Sequence, residues 1–595
     1  MSGPLGDWVM FGTDLARRKR DGSAKGLAFN FNRRSLVLLG FLGALLVAVV
    51  VSAFQRQVLE REFLREEGEA RYLRDWEIPA RRGMILDRNG EPLAVSSPVA
   101  SVWTDPRKMK DYPEAMGELA DAMGIARKDL KQRVADRQTK GFIYLKRRID
   151  PDQAQDVERI KAQYQIHELG METEYKRFYP GGEIFGHIIG FTDVDDKGIE
   201  GMELAFNGWL GAEPGLRRVI KDGRQQLVAE VERVRPPRHG KDLELSIDRR
   251  LQYLAYRELM RTVREHKAKS ASAVVLDVRT GEVLAMVNQP AYNPNGDRDG
   301  DLSTRRNRAV TDVMEPGSTI KPFVVAAALE QGLVTPTTPI DTSPGSLAVG
   351  SNTVKDIHNY GRLDTTSVIT KSSNVGVVKM ALRMKRESLW NLYDKVGFGK
   401  ATGIQFPGEE TGRFRNYKRW SDFEYATQAF GYGLSVTPLQ LARAYSVLAA
   451  DGVLRPMSLL KVDQAPAGEQ VLSVKTAQQV RAMMETVVSP KGTAKQAMIE
   501  GYGVAGKTGT AKKSSGRRGY AAGRYQAVFA GMAPAKDPRF VLVVMVDEPS
   551  AGKYYGGLVA APAFARIMQG ALRLFNVPPD HPEVKMLMAS TDTAR

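Results

Sequence analysis

The longest uninterrupted apolar stretch of the chain lies near its N-terminus, where Ser35 to Phe54 contains no charged side chain. At about 1.5 Å per residue, a helix of this length spans the roughly 30 Å hydrocarbon core of a bilayer. Lys and Arg outnumber Asp and Glu in residues 1–34. The positive-inside rule therefore predicts a single-pass anchor at 35–54 with a cytoplasmic N-terminus at 1–34. The alternative is a cleaved signal peptide, but the apolar run exceeds the usual length of about 7–15 residues.

A charged, mixed pattern follows the anchor and predicts an N-terminal domain over residues 55–240. Gln55 to Trp76 indicates a helix that continues out of the membrane, and residues 113–165 indicate a second helical region. Between them, Met84–Leu86 is predicted as a short strand that ends in a turn, because the pair Asn89–Gly90 tolerates positive φ. The basic, Pro-rich segment Val234–Gly240 predicts the domain boundary.

The pattern of residues 241–577 predicts a second domain in which strands come first and last. Leu243–Ile247 alternates as a strand, and Ser246 or Asp248 is the expected N-cap of the next helix. Apolar runs joined by turn residues predict two β-hairpins, Ala273–Val278 with Glu282–Val287 and Ala527–Met532 with Phe540–Val546. This order indicates an α+β domain with an antiparallel sheet whose N- and C-terminal strands pair, packed by helices. Residues 578–595 are expected to form a loose tail.

Composition narrows the classes of function. A chain of 595 residues is too long for one core, so two or three domains are expected. The absence of cysteine excludes thiolate chemistry and cysteine-ligated metals, and the sequence indicates no metal and no cofactor. The formal net charge of +17 suits either a solvated surface or attraction to an anionic membrane or cell-wall polymer. Nucleic acid is not expected as a partner, because the basic residues are dispersed and no binding motif accompanies them.

Ser318 and Lys321 are the strongest candidates for catalysis. Pro322 lacks an N–H and fits only the first turn of a helix, so the helix begins close to Ser318 and places Ser318 and Lys321 on one face. The helix runs through an almost wholly apolar segment and is expected to end at Gly332. Burial would make Lys321 lose its proton more easily, so that it could deprotonate Ser318. The alternative is a serine N-cap beside a lysine that reaches to solvent.

Two further motifs follow in order along the chain. Ser372 and Asn374 form Ser-x-Asn, and Lys507 to Gly509 form Lys-Thr-Gly. Together with Ser318-x-x-Lys321, this order is typical of active-serine enzymes of the penicillin-binding and β-lactamase superfamily. Ser372 could relay a proton to a leaving amine, and Asn374 could hold either a substrate carbonyl or Lys321.

The glycine-rich segment 503–511 is predicted to be a strand along which a substrate peptide can pair. Lys507, Thr508 and Thr510 are expected to meet a substrate carboxylate, and a Cβ at Gly509 is expected to displace the ligand. The backbone N–H groups of Ser318 and Thr510 are candidates for an oxyanion hole.

The same segment also matches a phosphate-binding loop, because Gly501 to Thr508 satisfies G-x-x-x-x-G-K-[ST]. That motif needs a helix directly after it, whereas residues 512–519 are expected to form a loop. A nucleotide site is therefore not predicted. No G-x-S-x-G or H-E-x-x-H pattern supports a serine–histidine hydrolase or a zinc protease.

The chain resembles the division-specific, class B penicillin-binding proteins, which are septal peptidoglycan D,D-transpeptidases. The resemblance extends from the anchor almost to the C-terminus and rests on these blocks: Arg82–Arg88, Arg177–Pro180, Gly198–Glu203, Glu315–Pro322, Lys371–Gly376, Phe430–Arg443, Lys507–Lys513 and Ala551–Gly557. It implies a non-catalytic pedestal of the dimerisation type at 55–240 and a transpeptidase domain at 241–577. No glycosyltransferase motif precedes residue 240.

The resemblance also implies a reaction and a set of partners. Ser318 would be acylated by the D-Ala-D-Ala end of a peptidoglycan stem peptide, and β-lactam antibiotics would trap the same serine. The implied partners are an FtsW-like septal glycosyltransferase and other single-pass division proteins, at the septum of the inner membrane with the catalytic domain in the periplasm. A membrane-anchored serine β-lactamase, a non-catalytic penicillin-binding sensor or scaffold, and a side-wall elongation paralogue remain as alternatives.

Overall fold

A computed structural model describes residues 31–63, 73–221, 227–296, 301–514 and 519–581. The apolar segment is helical over Phe31–Phe54 and continues as one π-helical turn over Gln55–Leu59. The side chains of residues 34–52 are exposed, and the stretch Arg34–Leu59 is long and apolar enough to cross a membrane. The predicted helix to Trp76 is wrong at its end, because Leu73–Ile78 is a strand. Residues 64–72 of that prediction lie outside the described residues.

The chain divides into two compact units. The smaller unit comprises the described residues up to Asp75 together with Arg218–Val231, and the larger one comprises Trp76–Arg217 and Glu232 onwards. The smaller unit contains the N-terminal apolar helix and parts of the strands Leu73–Ile78, Gly215–Lys221 and Leu227–Arg235, which form a three-stranded sheet.

The N-terminal half of the larger unit is built on a long strand, Pro92–Thr104, which pairs with Leu169–Phe178 on one side and with Ile143–Ile149 on the other. The short strand Ile85–Leu86 extends this sheet and pairs in parallel with Leu243–Glu244. The helices in this region are Pro106–Met109, Pro113–Ala122, Arg127–Ala135, Pro151–Gln163, Gly186–Ile189, Gly201–Ala205 and Asn207–Leu210.

One part of the predicted helical region 113–165 is wrong, because the strand Ile143–Ile149 interrupts it. Ile143, Leu145 and Ile149 are buried on one face of this strand, whereas Lys146 and Arg147 are only half-buried. Because charged residues interrupt it, the alternation of apolar and polar residues that marks a strand buried on one side is not visible in the sequence.

The C-terminal half contains a five-stranded sheet, called the central sheet below. Its order is Val283–Gln289, Ser270–Asp277, Phe540–Asp547, Tyr520–Ala533 and Ala505–Ser514, and all neighbours are antiparallel. The C-terminal strand therefore lies beside the N-terminal one, with Val543 opposite Val274, as the sequence predicted. The strand Ala505–Ser514 forms an edge of this sheet.

Helices and small hairpins complete this half. The helix Arg249–His266 is capped by Asp248, one of the two predicted caps. The short strand pairs are Pro339–Asp341 with Arg362–Asp364, Ser346–Val349 with Asn352–Lys355, and Val453–Leu454 with Glu469–Gln470. The other helices are Arg308–Thr311, Lys321–Glu330, Thr365–Lys371, Asn374–Ala381, Arg386–Lys395, Asp422–Gln428, Pro438–Ala449, Val474–Val487 and Gly556–Leu574.

Two predicted loose segments are more ordered than expected. Lys512 to Ser514 continues the edge strand, so the predicted loop 512–519 is wrong at its start, and residues 515–518 lie outside the described ones. Residues 578–581 are not loose either, because Asp580 and His581 bind back to Gly503 and Gly501. The rest of the predicted tail, 582–595, lies outside the described residues.

Candidate active site

Ser318 lies in a single 3₁₀ turn, Gly317–Ile320, that leads directly into the helix Lys321–Glu330. Gly317 takes a positive φ of 52°, which favours glycine, and its N–H donates to the carbonyl of Gly431 at 3.1 Å. Tyr445 donates its hydroxyl hydrogen to the carbonyl of Thr319 at 2.8 Å. The turn is thus fixed on both sides, while the Ser318 side chain remains half-buried and has no hydrogen-bond partner among the described residues.

Lys321 is fully buried one turn beyond Ser318. Its Nζ donates to the Ser372 carbonyl at 2.5 Å and to Oδ1 of Asn374 at 2.7 Å, and it lies 3.2 Å from Oγ of Ser372. Burial, together with the positive charge of Lys507, lowers the pKa of Lys321 well below its ordinary value, and Asp356 opposes this only in part. A neutral amine at this place can accept a proton.

Ser372 joins two helices through an unusual backbone conformation. It ends the helix Thr365–Lys371 in the left-handed region with φ 60°, and the next helix begins at Asn374 with Ser373 as its N-cap. Because the chain turns between the two helices, both the carbonyl and the hydroxyl of Ser372 face Lys321.

Asp356 fixes this turn and was not found from the sequence. Its carboxylate accepts from Oγ of Ser373 at 2.6 Å, from the N–H of Val375 at 3.1 Å and from the N–H of Asn374. A carboxylate at a helix N-terminus satisfies free N–H groups and complements the helix dipole. Asn374 is held from the other side, because its Nδ2 donates to the Lys355 carbonyl at 2.9 Å, which leaves Oδ1 for Lys321.

Lys507 approaches the same serine from the edge strand. It is fully buried, and its Nζ donates to Oγ of Ser372 at 2.9 Å and to the carbonyl of Thr508 at 3.3 Å. Burial lowers the pKa of Lys507 to about 7. The hydroxyl of Ser372 therefore lies between two buried amines that come from distant parts of the chain.

Thr508 and Thr510 follow Lys507 on the same strand. Oγ1 of Thr508 lies 3.1 Å from Oγ1 of Thr493 and 3.5 Å from Nζ of Lys507. Oγ1 of Thr510 accepts from the N–H of Gly556 at 3.0 Å. Thr493 gave no signal in the sequence, since it belongs to none of the motifs.

Gly509 permits close packing of the strand on the nucleophile turn. A Cβ at this position would lie 2.9 Å from the carbonyl oxygen of Pro316 and 2.9 Å from Cγ2 of Thr319. The sequence predicted that a Cβ at Gly509 would displace a ligand. In the structure it would instead collide with the protein itself, at Pro316 and Thr319. Gly317 faces the same strand, because its own Cβ would lie 3.8 Å from the backbone N of Thr510.

The structure thus brings the three predicted motifs to one place. Lys321, Ser372, Asn374, Lys507 and Thr508 form one chain of hydrogen bonds. Ser318 precedes Lys321 by one turn, and the backbone of Thr510 lies next to that of Gly317. No helix follows Gly506–Lys507–Thr508, as a phosphate-binding loop would require; the strand continues instead.

Two protein-family models match the chain. Residues 77–245 match the model of the penicillin-binding protein dimerisation domain, and residues 271–569 match that of the penicillin-binding protein transpeptidase domain. The chain belongs to the penicillin-binding proteins that combine these two domains.

The relatives are similar over most of their length. The chain is 45% identical over 529 residues to the peptidoglycan D,D-transpeptidase FtsI of Escherichia coli K12. The aligned region covers 88% of this chain and 89% of that one. It is 42% identical over 558 residues to the probable peptidoglycan D,D-transpeptidase PenA of Neisseria meningitidis serogroup A, covering 92% and 94%. Among solved structures, the transpeptidase domain of Burkholderia pseudomallei penicillin-binding protein 3 matches with 46% identity and a TM-score of 0.53, covering 57% of this chain and 98% of that one.

Proposed function

We propose that the protein is a peptidoglycan D,D-transpeptidase that acts through an acyl-enzyme on Ser318. The observation that carries this proposal is the buried Lys321, which lies one turn after Ser318 and is hydrogen-bonded to both members of the Ser-x-Asn motif. The whole-length similarity to transpeptidases supports the same substrate, the D-Ala-D-Ala end of a peptidoglycan stem peptide.

In the first half-reaction, Oγ of Ser318 attacks the carbonyl carbon of the D-Ala-D-Ala bond, and neutral Lys321 takes the proton of the hydroxyl. The N–H groups of Ser318 and Thr510 hold the developing oxyanion. The C–N bond then breaks, and the leaving D-Ala amine receives a proton through Ser372, whose hydroxyl bonds to both lysines. Lys507, Thr508 and Thr510 bind the terminal carboxylate, and Asn374 orients Lys321.

In the second half-reaction, an amine of a neighbouring stem peptide attacks the ester carbonyl carbon. The new C–N bond forms as the Ser318 ester bond breaks, and the amine proton returns to the serine through Lys321. No group outside the chain and its two substrates is needed to balance these steps. A β-lactam enters the first half-reaction as an analogue of the donor.

The location and partners of this activity belong to the same proposal. We infer that residues 35–54 anchor the chain in the inner membrane with residues 1–34 in the cytoplasm, and that it serves the division septum. The pedestal at 55–240 would contact an FtsW-like glycosyltransferase and other single-pass division proteins, and the domain at 241–577 would work in the periplasm. The whole-length similarity to FtsI and the basic N-terminal segment support this inference.

Acceptor incorporation tests the proposed reaction. The full-length protein in detergent is given a donor peptide that ends in D-Ala-D-Ala and a labelled D-amino acid as acceptor. Stoichiometric release of D-Ala with incorporation of the label is expected from the wild type and not from Ser318→Ala. Release without incorporation would indicate hydrolysis and would contradict transpeptidation.

A further inference from the structure

The residues just before the edge strand of the central sheet are held by the C-terminal segment Val577–His581, called the C-terminal clasp below. Tyr502 donates its hydroxyl hydrogen to the carbonyl of Val577 at 2.7 Å. The N–H of Gly503 donates to Oδ1 of Asp580 at 2.7 Å, and the N–H of His581 donates to the carbonyl of Gly501 at 3.1 Å. Each of the three residues 501–503 is therefore tied to the clasp.

These contacts are made by residues directly before an edge strand, which has a neighbouring strand on one side only. Ala505–Ser514 pairs on one side only, with Tyr520–Ala533, and this pairing begins at Ala505 opposite Met532. Lys507 follows two residues later, and its Nζ has to reach Oγ of Ser372, which lies outside the sheet. Gly503, two residues before this strand, accepts from the N–H of Ala535 through its carbonyl at 2.9 Å and donates its own N–H to Asp580. Because an edge strand frays most easily at its ends, these bonds restrict the end of the strand that is nearer to Lys507.

The clasp follows the helix whose first residue contacts the other end of the motif. The helix Gly556–Leu574 begins at the N–H that donates to Oγ1 of Thr510, and the clasp follows its last turn. From Gly503 to Thr510 an extended chain covers about 23 Å, and the 19-residue helix is about 28 Å long. The helix and the clasp that follows it thus hold the chain on both sides of Lys507, Thr508 and Gly509.

Packing keeps this helix in place on the sheet. Phe564 meets Phe529 edge to face, with ring centroids 4.7 Å apart, and Phe575 meets Phe540 in the same way at 5.2 Å. Gly503 also has little freedom, because a Cβ there would lie 2.7 Å from Oε1 of Glu485 and 2.9 Å from Nε2 of His581. The clasp therefore binds at Gly503, a closely packed position with little room to move.

We propose that Asp580 is a positioning residue for the acylation of Ser318: its carboxylate holds the Gly503 N–H and so fixes the start of the strand that carries Lys507. Asp580 touches neither the donor nor the reacting atoms and acts through Gly503. This inference rests on the proposed function and adds to it a residue that lies 73 positions beyond Lys507 in the sequence.

The test compares Asp580→Ala with Asp580→Asn in the full-length protein in detergent. Stopped-flow acylation by a chromogenic carboxylate-bearing β-lactam separates the binding constant from the acylation rate constant. Since a small displacement of a catalytic group can cost up to about a hundredfold in rate, we expect Asp580→Ala to lower the acylation rate constant about tenfold. Asp580→Asn keeps an oxygen acceptor for the Gly503 N–H and should stay within about twofold of the wild type. Asp463→Ala, which removes an exposed carboxylate of the same domain, is the matched control.

Tyr502→Phe provides a second, milder variant, because it removes one hydroxyl from the clasp and leaves the ring. A loss of about two- to fivefold is expected, the factor that corresponds to the lower half of the range for one neutral hydrogen bond. Wild-type rates in both Asp580→Ala and Tyr502→Phe would overturn the proposal, and so would an Asp580→Asn variant as slow as Asp580→Ala. A wild-type protein that is not acylated at all would instead overturn the proposed function, and with it this assignment.

Discussion

The Nζ atom of Lys507 donates a hydrogen bond of 2.9 Å to the hydroxyl of Ser372. The same hydroxyl lies 3.2 Å from Nζ of Lys321, so one serine connects two fully buried amines. Two neighbouring cations destabilise each other, and burial disfavours both charges. The pKa of Lys321 is lowered well below its ordinary value and that of Lys507 to about 7. These shifts favour the neutral Lys321 that the proposed mechanism needs, whereas Lys507 carries a positive charge mainly below about pH 7.

The requirement for a neutral base is tested by Lys321→Arg. Arginine keeps the positive charge and can donate to Ser372 and Asn374, but it does not lose its proton in proteins. General-base catalysis contributes about 10²- to 10⁴-fold, so we expect a loss of acylation of that order. The measurement is the second-order rate constant for β-lactam acylation, with circular dichroism to verify folding. A folded arginine variant with wild-type kinetics would assign the base to another group.

The opposite roles of the two lysines predict a bell-shaped pH profile. Lys321 must be neutral, and it becomes so above its lowered pKa, which gives the rising limb. Lys507 must be charged, and it loses its proton as the pH rises through about 7, which gives the falling limb. A charge-assisted hydrogen bond contributes about 1.5–3 kcal/mol, so acylation by a carboxylate-bearing β-lactam should fall at least about tenfold at high pH.

Lys507→Arg separates the two limbs, because arginine remains charged over the whole range. The maximum rate should decrease, since the larger guanidinium does not fit a fully buried site, but the falling limb near pH 7 should disappear. A falling limb at the same pH in this variant would show that Lys507 is not the group that titrates there.

Asp356 is expected to be as important for the Ser-x-Asn turn as the motif residues themselves. Asp356→Ala removes the acceptor for the Ser373 hydroxyl and for two N–H groups. Buried donors left without a partner cost about 1–3 kcal/mol, and the displaced Ser372 and Asn374 should slow acylation. The melting temperature and the acylation rate should both fall, with Asp356→Asn in between. If Asp356→Ala equals the wild type in both, the carboxylate does not fix this turn.

Gly509 should tolerate no side chain, because a Cβ there would collide with the protein's own nucleophile turn rather than with a ligand. In Gly509→Ala the new methyl group meets Pro316 and Thr319 at 2.9 Å and must push the nucleophile turn from the strand. Overpacking of this kind costs about 1–3 kcal/mol, and acylation should decrease along with stability. Gly208→Ala is a suitable control, because no atom lies within 4 Å of the added Cβ. Equal melting temperatures and rates in the two variants would contradict this account.

Local signals in the sequence were sufficient to predict the central sheet and the three motifs. Apolar runs between turn residues marked its hairpins, and Pro322 marked the start of the helix after Ser318. The pairing of the first and last strands was predicted as well, but individual side-chain contacts over long sequence distances could not be. Asp356 caps a helix from a loop, and Thr493 contacts Thr508 from the loop after the helix Val474–Val487. Asp580 binds Gly503 from close to the C-terminus. The strand Ile143–Ile149 was missed because its lysine and arginine residues imitate a solvated helix.

The most direct measurement of the central claim is the site of covalent attachment of a β-lactam. The full-length protein is treated with benzylpenicillin, digested, and the modified peptide is identified by mass spectrometry. Acylation of Ser318 alone predicts one stoichiometric adduct on this residue in the wild type and none in a folded Ser318→Ala variant. An adduct on another residue, or an unchanged yield of adduct in Ser318→Ala, would contradict it.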